Sequence, residues 1–222
     1  MEYKVVEKFI SVNGEGQKSG ELSVFIRFAG CNLDCTYCDT KWANQKDVAY
    51  ELMTENEIYS YIEGTGIKNI TLTGGEPLLQ ENFEKLLEKL SEDENINIEI
   101  ETNGSIDVSK FIKKTIKRPS FTLDYKSKSS KMEDKMLFEN YNYINKNDTV
   151  KFVVGTMEDL KKSKLIMDKY ELPKKTTVFF SPVFGKIEMS DIVEYMKVNK
   201  MNDVKLQIQL HKIIWDVTKK GV

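Results

Sequence analysis

From residue 22 onward, short β-rich runs alternate with amphipathic helical patterns, and this restricts the chain to strand–helix units around a largely parallel sheet. Residues 22–29 form the first strand, with Val24, Ile26 and Phe28 on one side and Ser23, Phe25, Arg27 and Ala29 on the other. Thr54, followed three residues later by Glu57, opens a helix with a capping box; Ile58, Tyr61 and Ile62 make its apolar stripe, and Gly64 and Gly66 close it. Residues 69–73 form a second strand that runs into Gly74-Gly75-Glu76-Pro77, after which Phe83, Leu86, Leu87 and Leu90 line one helix face.

The same pattern predicts strands over 96–101, 120–124, 149–154 and 176–181, each followed by a helix, over 108–116, 132–138, 157–170 and 187–198, and a last strand over 204–209. That is about seven strands and six helices, a size that one α/β domain accommodates. No linker rich in Pro, Gly or Ser divides the chain, so residues 1–222 are read as a single domain, a partial (β/α) barrel of mainly parallel strands. In such folds ligands collect at the carboxyl ends of the strands.

All three cysteines lie in one stretch, Cys31, Cys35 and Cys38, just after the end of the first strand. A disulfide would use two and strand the third, whereas a metal centre can use all three as thiolates. Buried unreactive thiols fit poorly beside Asn32, Asp34 and Asp39. Structural zinc takes four protein ligands, and His211, the one histidine, would have to supply the fourth from far along the chain. An iron–sulfur cubane explains the count better, because three cysteines leave one of its four irons open to a ligand.

Composition narrows the partners. Thirty-three basic and thirty-five acidic residues give a net charge of −2, which offers no bulk attraction for nucleic acid or an anionic membrane. No segment is uniformly apolar over the roughly 18 residues that a membrane span needs. The expected location is the cytoplasm, where thiolates stay reduced. The basic run 110–118 and the polar stretch 126–135 read as a solvated helix face and a mobile loop.

Cys31-x3-Cys35-x2-Cys38 after a first strand, with Tyr37 before the last cysteine, resembles the signature of the radical S-adenosylmethionine superfamily. Gly74-Gly75-Glu76 is similar to that superfamily's second motif. The resemblance implies a [4Fe–4S] cluster on Cys31, Cys35 and Cys38. It also implies S-adenosylmethionine on its open iron, cleaved to a 5′-deoxyadenosyl radical, with Gly75 and Glu76 at the methionine part of the cofactor.

Further stretches, Phe9-Ile10-Ser11-Val12-Asn13-Gly14-Glu15-Gly16, Phe25-Ile26-Arg27-Phe28-Ala29-Gly30, Cys38-Asp39-Thr40 and Ile100-Glu101-Thr102-Asn103-Gly104, resemble the branch that contracts 6-carboxy-5,6,7,8-tetrahydropterin to a carboxylated 7-deazaguanine with loss of ammonia. That branch implies Mg²⁺ on the Thr40 hydroxyl, a homodimer, and an external electron donor such as flavodoxin or ferredoxin. Carried over residue by residue, Val12, Asn13, Gly14, Glu15, Arg27, Thr73 and His211 fall to the substrate, with Arg27 clamping its carboxylate. Tyr37, Cys38, Asp39, Gly75, Glu76, Glu101, Asp124, Tyr125, Lys126 and Ser181 fall to the cofactor. Two other readings are an activating protein that installs a glycyl radical in a partner polypeptide and a zinc-stabilised binding module.

Overall fold

The computed structural model describes residues 1–112, 115–217 and 219–222. Its strands are β1 (Glu2–Val12), β2 (Leu22–Phe28), β3 (Glu51–Thr54), β4 (Asn69–Gly74), β5 (Asn97–Thr102), β6 (Ser120–Lys126), β7 (Thr149–Val154), β8 (Thr177–Pro182) and β9 (Val204–Leu206). They form one sheet in the order β3-β1-β2-β4-β5-β6-β7-β8-β9. From β2 to β9 every neighbouring pair is parallel, while β1 runs antiparallel to both β2 and β3. The expected mainly parallel architecture is borne out as an open sheet with β3 and β9 at its edges.

All seven strands expected from the sequence are present, and two more, β1 and β3, were not expected. A register shift between Val5 and Glu7 breaks the alternation of β1, so its charges look like interruptions rather than one face of a strand. β3 is four residues long and ends on Thr54, the residue that also caps the following helix.

The helices are α1 (Glu55–Thr65), α2 (Phe83–Ser91), α3 (Ser109–Ile112), α4 (Met157–Tyr170), α5 (Leu172–Lys175), α6 (Met189–Val198) and α7 (His211–Ile214). The Thr54–Glu57 capping box forms at both bonds, and Gly66 ends α1 in the left-handed region at φ +68°. Gly64 lies inside α1 rather than at its end. The helix expected over 108–116 is seen only as α3; residues 113 and 114 lie outside the described residues. The helix expected over 132–138 is replaced by short 3₁₀ turns, Glu133–Lys135 and Phe138–Asn142. There Asn140 bonds the backbone of Gly104, Ile106 and Val108, so its side chain fixes a connection instead of extending a helical face. No helix among the described residues is long and apolar enough to cross a membrane.

Strand alternation gives the sheet two unlike faces. Ile26, Phe28, Ile70, Leu72, Ile98, Ile100, Phe121, Leu123, Tyr125, Val150, Phe152, Val178 and Phe180 pack into one apolar core with Ile58, Phe83, Leu86, Leu160 and Ile192 from the helices. Each such side chain contributes roughly 1.5–3 kcal/mol on burial. The opposite face carries Ser23, Arg27, Thr71, Thr73, Glu99, Glu101, Thr122, Asp124, Lys151 and Ser181. Register sets them side by side: Arg27 with Thr73, Thr71 with Glu99, Glu101 with Thr122, Asp124 with Lys151. Polar residues on this scale in a buried sheet face need partners, and that need organises the site.

The end of the basic run is structural, not a solvated face. Lys117 Nζ donates to the carbonyls of Glu94 and Ile96, and Arg118 makes a two-pronged bond to Asp148, at 2.8 and 2.7 Å. Asp148 also accepts from the Phe121 and Asn145 amides, so this pair anchors the start of β6.

Candidate active site

The glycine turn after β4 is shaped by the need to lie against the start of the cysteine loop. Gly74 sits at φ +147°, and a Cβ added there would come within 2.3 Å of the Phe28 carbonyl oxygen. A Cβ on Gly75 would stand 2.0 Å from the Gly30 oxygen. The turn then donates across this contact, Gly75 N to Phe28 O at 3.1 Å and Glu76 N to Gly30 O at 2.8 Å. Only glycine permits that approach, so the second motif holds the first in place.

Glu76 itself faces inward. It has no exposed surface; one carboxylate oxygen accepts from Leu78 N and Thr102 Oγ1, the other from Asn103 N at 2.7 Å. Burial raises its carboxyl to about 7 against these donors. These bonds tie the end of β4 to the end of β5. Asn103, positioned by that bond, sends its amide to Cys31 Sγ at 3.6 Å and to Asn32 Oδ1 at 3.0 Å.

The three thiols are free, Cys35 buried and the others partly so. Burial raises the Cys31 and Cys35 thiols; the Leu33 and Asn103 N–H groups oppose this at Cys31, and Lys126 opposes it at Cys35. Among the described residues no three Cys, His, Asp or Glu side chains meet as the ligands of one ion. A cubane does not ask for that, since each thiolate takes a different iron, and the donor set of three grouped thiols with amide donors at sulfur fits a [4Fe–4S] cluster. Thr40 Oγ1 lies 3.7 Å from Cys38 Sγ, and Asn44 Oδ1 is a buried polar atom without a hydrogen-bond partner among the described residues. Asp39 is exposed, with Lys212 3.7 Å away.

The stretch 126–135 is a wall of this loop, which corrects its reading as mobile. Ser127 and Ser130 are fully buried, Thr36 N donates to Ser130 O, and Thr36 Oγ1 donates to Ser129 O at 2.8 Å. Tyr125, expected at the cofactor, points to the helix-covered face instead. Its ring packs on Phe138 and Phe152 and its hydroxyl donates to Glu133, because strand alternation sends it opposite to Asp124 and Lys126.

Beyond the thiols the polar residues of the sheet face find partners among themselves and in the loop that follows β1. Asp124 accepts from Lys126 at 2.6 Å and from Lys151 at 3.0 Å, and despite its burial these two ammonium groups hold its carboxyl below the usual range. Lys151 also pairs with Glu15, and its own value is raised by Asp124, Glu15 and Glu101 against burial. Glu101 accepts from Thr73 Oγ1 at 2.8 Å and is raised to about 7, first by burial and then by Glu15 and Glu99, with Lys151 opposing. Arg27 uses Nε on Glu7 Oε2 at 2.9 Å, so its fork is held while Nη1 and Nη2 carry its other donors. Ser181, 3% exposed, is the neighbour of Val153 at the end of β8.

The loop after Val12 closes over this face and meets the last segment of the chain. Gly16 N donates to Gln207 Oε1, Gln209 Nε2 to Glu15 Oε1 at 2.7 Å, and Leu210 N to Gly14 O. A Cβ on Gly14 would stand 2.9 Å from His211 Nδ1, so this glycine lets the imidazole reach the loop. Asn13 is 2% exposed, with its amide nitrogen on Glu99 and its amide oxygen on Glu15 N. The structure thus brings Asn13, Gly14, Glu15 and His211 together, and separately aligns Arg27, Thr73 and Glu101 along the sheet.

Sequence reasoning missed Glu7, Glu99, Asn103, Ser130 and Lys151. Lys151 did carry a signal: a lone charge within Thr149-Val150-Lys151-Phe152-Val153-Val154 must be paired if that strand is buried.

An open, mainly parallel α/β sheet with a three-thiol loop after its first parallel strand and a glycine turn packed beneath it defines a class, and the profile described as Radical SAM superfamily matches residues 25–198. A 7-carboxy-7-deazaguanine synthase of Clostridium acetobutylicum is 60% identical over 222 residues, covering 100% of both chains. One of Methanospirillum hungatei is 32% identical over 95% of this chain and 85% of its own. The crystal structure of QueE from Escherichia coli shares the fold at a TM-score of 0.75 and 20% identity, with 94% of each chain covered. The chain belongs to the 7-carboxy-7-deazaguanine synthase family of the Radical SAM superfamily, which implies a [4Fe–4S] cluster and S-adenosylmethionine.

Proposed function

We propose that this chain contracts 6-carboxy-5,6,7,8-tetrahydropterin to 7-carboxy-7-deazaguanine with loss of ammonia, a step of queuosine and other deazapurine biosynthesis. The observation that carries this reading is full-length identity of 60% to a synthase of that name. When bound, the cluster and S-adenosylmethionine supply a carbon radical that takes the hydrogen atom from C6. Cys31, Cys35 and Cys38 hold the cluster, and Tyr37, Asp39, the backbone at Gly75, Glu101, Asp124, Lys126 and Ser181 serve the cofactor.

Arg27, steadied by Glu7, clamps the substrate carboxylate through its terminal nitrogens. Val12, Asn13, Gly14, Glu15, Thr73 and His211 surround the pterin. Ammonia leaves only with a proton, and Glu101, raised to about 7, can hold or release one at neutral pH. The Thr40 hydroxyl donates an oxygen to Mg²⁺, a hard cation that keeps its remaining coordination for substrate and water. An external one-electron donor such as flavodoxin or ferredoxin, a homodimer and a cytoplasmic setting complete the reading.

The test is ammonia release under anaerobic conditions. It should track loss of the carboxypterin and depend on both S-adenosylmethionine and reductant. Cofactor cleavage with no loss of the pterin would overturn the reading.

A further inference from the structure

Glu99, like Glu101, is a carboxylate of the polar sheet face bonded to neutral side chains, and no step of the reaction uses Glu99. It is 5% exposed on β5, below the loop 13–16. Its two oxygens divide their partners. Oε1 accepts from Thr122 Oγ1 at 2.7 Å, and Oε2 accepts from Asn13 Nδ2 at 3.0 Å. Gly16 passes so close that an added Cβ would stand 3.0 Å from Oε1, so the loop lies directly on the carboxylate.

Asn13 completes the chain of bonds. Its Oδ1 accepts from Glu15 N at 3.3 Å, and its backbone is pinned by Asn13 N to Glu21 O and Gly20 N to Asn13 O. A side-chain amide in a buried position can be turned over, exchanging donor for acceptor with little change in shape. Here the orientation is held from two sides: Glu99 Oε2 accepts the amide N–H, and the Glu15 N–H, which can only donate, takes the amide oxygen. Each atom of the amide has one valence left, an N–H on Nδ2 and a lone pair on Oδ1. Glu99 decides which of these Asn13 presents, and where.

We propose that Glu99 is a positioning residue for substrate recognition: by accepting from Asn13 it fixes the orientation of that amide and so the donor–acceptor pattern the loop 13–16 shows to the substrate's heterocycle. This rests on the reading above that the loop contacts the carboxypterin. Thr122 holds the carboxylate in turn, and the identity of Glu99 matters as an acceptor of two bonds.

Glu99→Met tests the acceptor, and a double variant separates positioning from stability. Methionine at 99 offers no acceptor, so the Asn13 N–H loses its partner and the amide is held from one side alone, by Glu15 N. In Asn13→Asp/Glu99→Gln the glutamine amide donates to the aspartate, and the aspartate accepts from Glu15 N. All three bonds are restored with the charge moved by one side chain; only the spare N–H of residue 13 is gone.

Both proteins are reconstituted anaerobically and compared with wild type for iron content, Tm and the KM for carboxypterin. Glu99→Met should lower Tm and raise KM about tenfold, the cost of one unpaired buried donor, with KM carrying most of the loss in kcat/KM. The double variant should recover Tm and iron content while its KM stays raised. A KM unchanged in Glu99→Met, or one that recovers with Tm in the double variant, overturns the proposal and leaves Glu99 a packing residue. If wild type itself does not consume carboxypterin, the functional reading has failed, and that outcome is read before either variant.

Discussion

Replacing Glu76 by alanine probes the contact that holds the two motifs together. Its carboxylate receives Leu78 N at 3.1 Å, Thr102 Oγ1 at 2.9 Å and Asn103 N at 2.7 Å, all within the protein interior. Alanine leaves two backbone donors without partners at about 1–3 kcal/mol each, while the Thr102 hydroxyl can rotate, so about 4 kcal/mol is lost where the carboxyl is protonated. The loss depends on pH. The carboxyl is raised from 4.5 in the reference state to about 7 in the fold. The folded chain therefore binds the proton more tightly, and the stability this brings is complete below about 4.5 and gone once pH has risen through about 7. A shift of that size is worth up to about 3 kcal/mol. The difference between wild type and Glu76→Ala should accordingly narrow from about 4 kcal/mol at pH 5 to about 1 kcal/mol at pH 8. Urea unfolding of the metal-free protein at both pH values measures it. A difference below about 1 kcal/mol at pH 5, or one that widens as pH rises, would refute the reasoning. The variant should also retain less iron, because Asn103 loses the bond that aims its amide at Cys31.

Gly75→Ala should give insoluble or cluster-free protein, since its Cβ would strike the Gly30 carbonyl oxygen, whereas Gly64→Ala, exposed inside α1 with nothing within 4 Å, should gain about 0.5–1 kcal/mol in a urea melt. Equal behaviour of the two would mean the turn does not bear on the cysteine loop. Arg27→Ala should keep the iron and S-adenosylmethionine cleavage but lose carboxypterin turnover by about 2 kcal/mol or more in kcat/KM, the worth of a charge-assisted bond; unaltered turnover would remove Arg27 from the substrate.

Periodicity made the fold legible wherever it was unbroken. β7 and α4 begin and end where the pattern of apolar residues placed them, and all seven strands of the parallel run were visible because buried strands flanked by turns leave a strong local mark. β1 was not, because its bulge shifts the alternation halfway along, and the predicted helix over 132–138 failed because Asn140 and Glu133 bond outward to Val108 and Tyr125. At the site, the thiols and the glycine turn are contiguous in sequence and were readable. The contacts that position them are not contiguous. Asn13 meets Glu99, Glu15 meets Lys151, and Thr36 meets Ser130 across long stretches of chain, and no local pattern records such a pairing. Strand alternation puts the Tyr125 side chain on the apolar side, and the donors of Leu78 and Asn103 turn Glu76 inward.

Mass spectrometry of the product addresses the central claim most directly. Reconstituted protein incubated anaerobically with 6-carboxy-5,6,7,8-tetrahydropterin, S-adenosylmethionine, Mg²⁺ and a reductant should yield 7-carboxy-7-deazaguanine, and none when Cys35 is replaced by alanine. Recovery of unchanged carboxypterin from iron-loaded protein that still cleaves S-adenosylmethionine would contradict it.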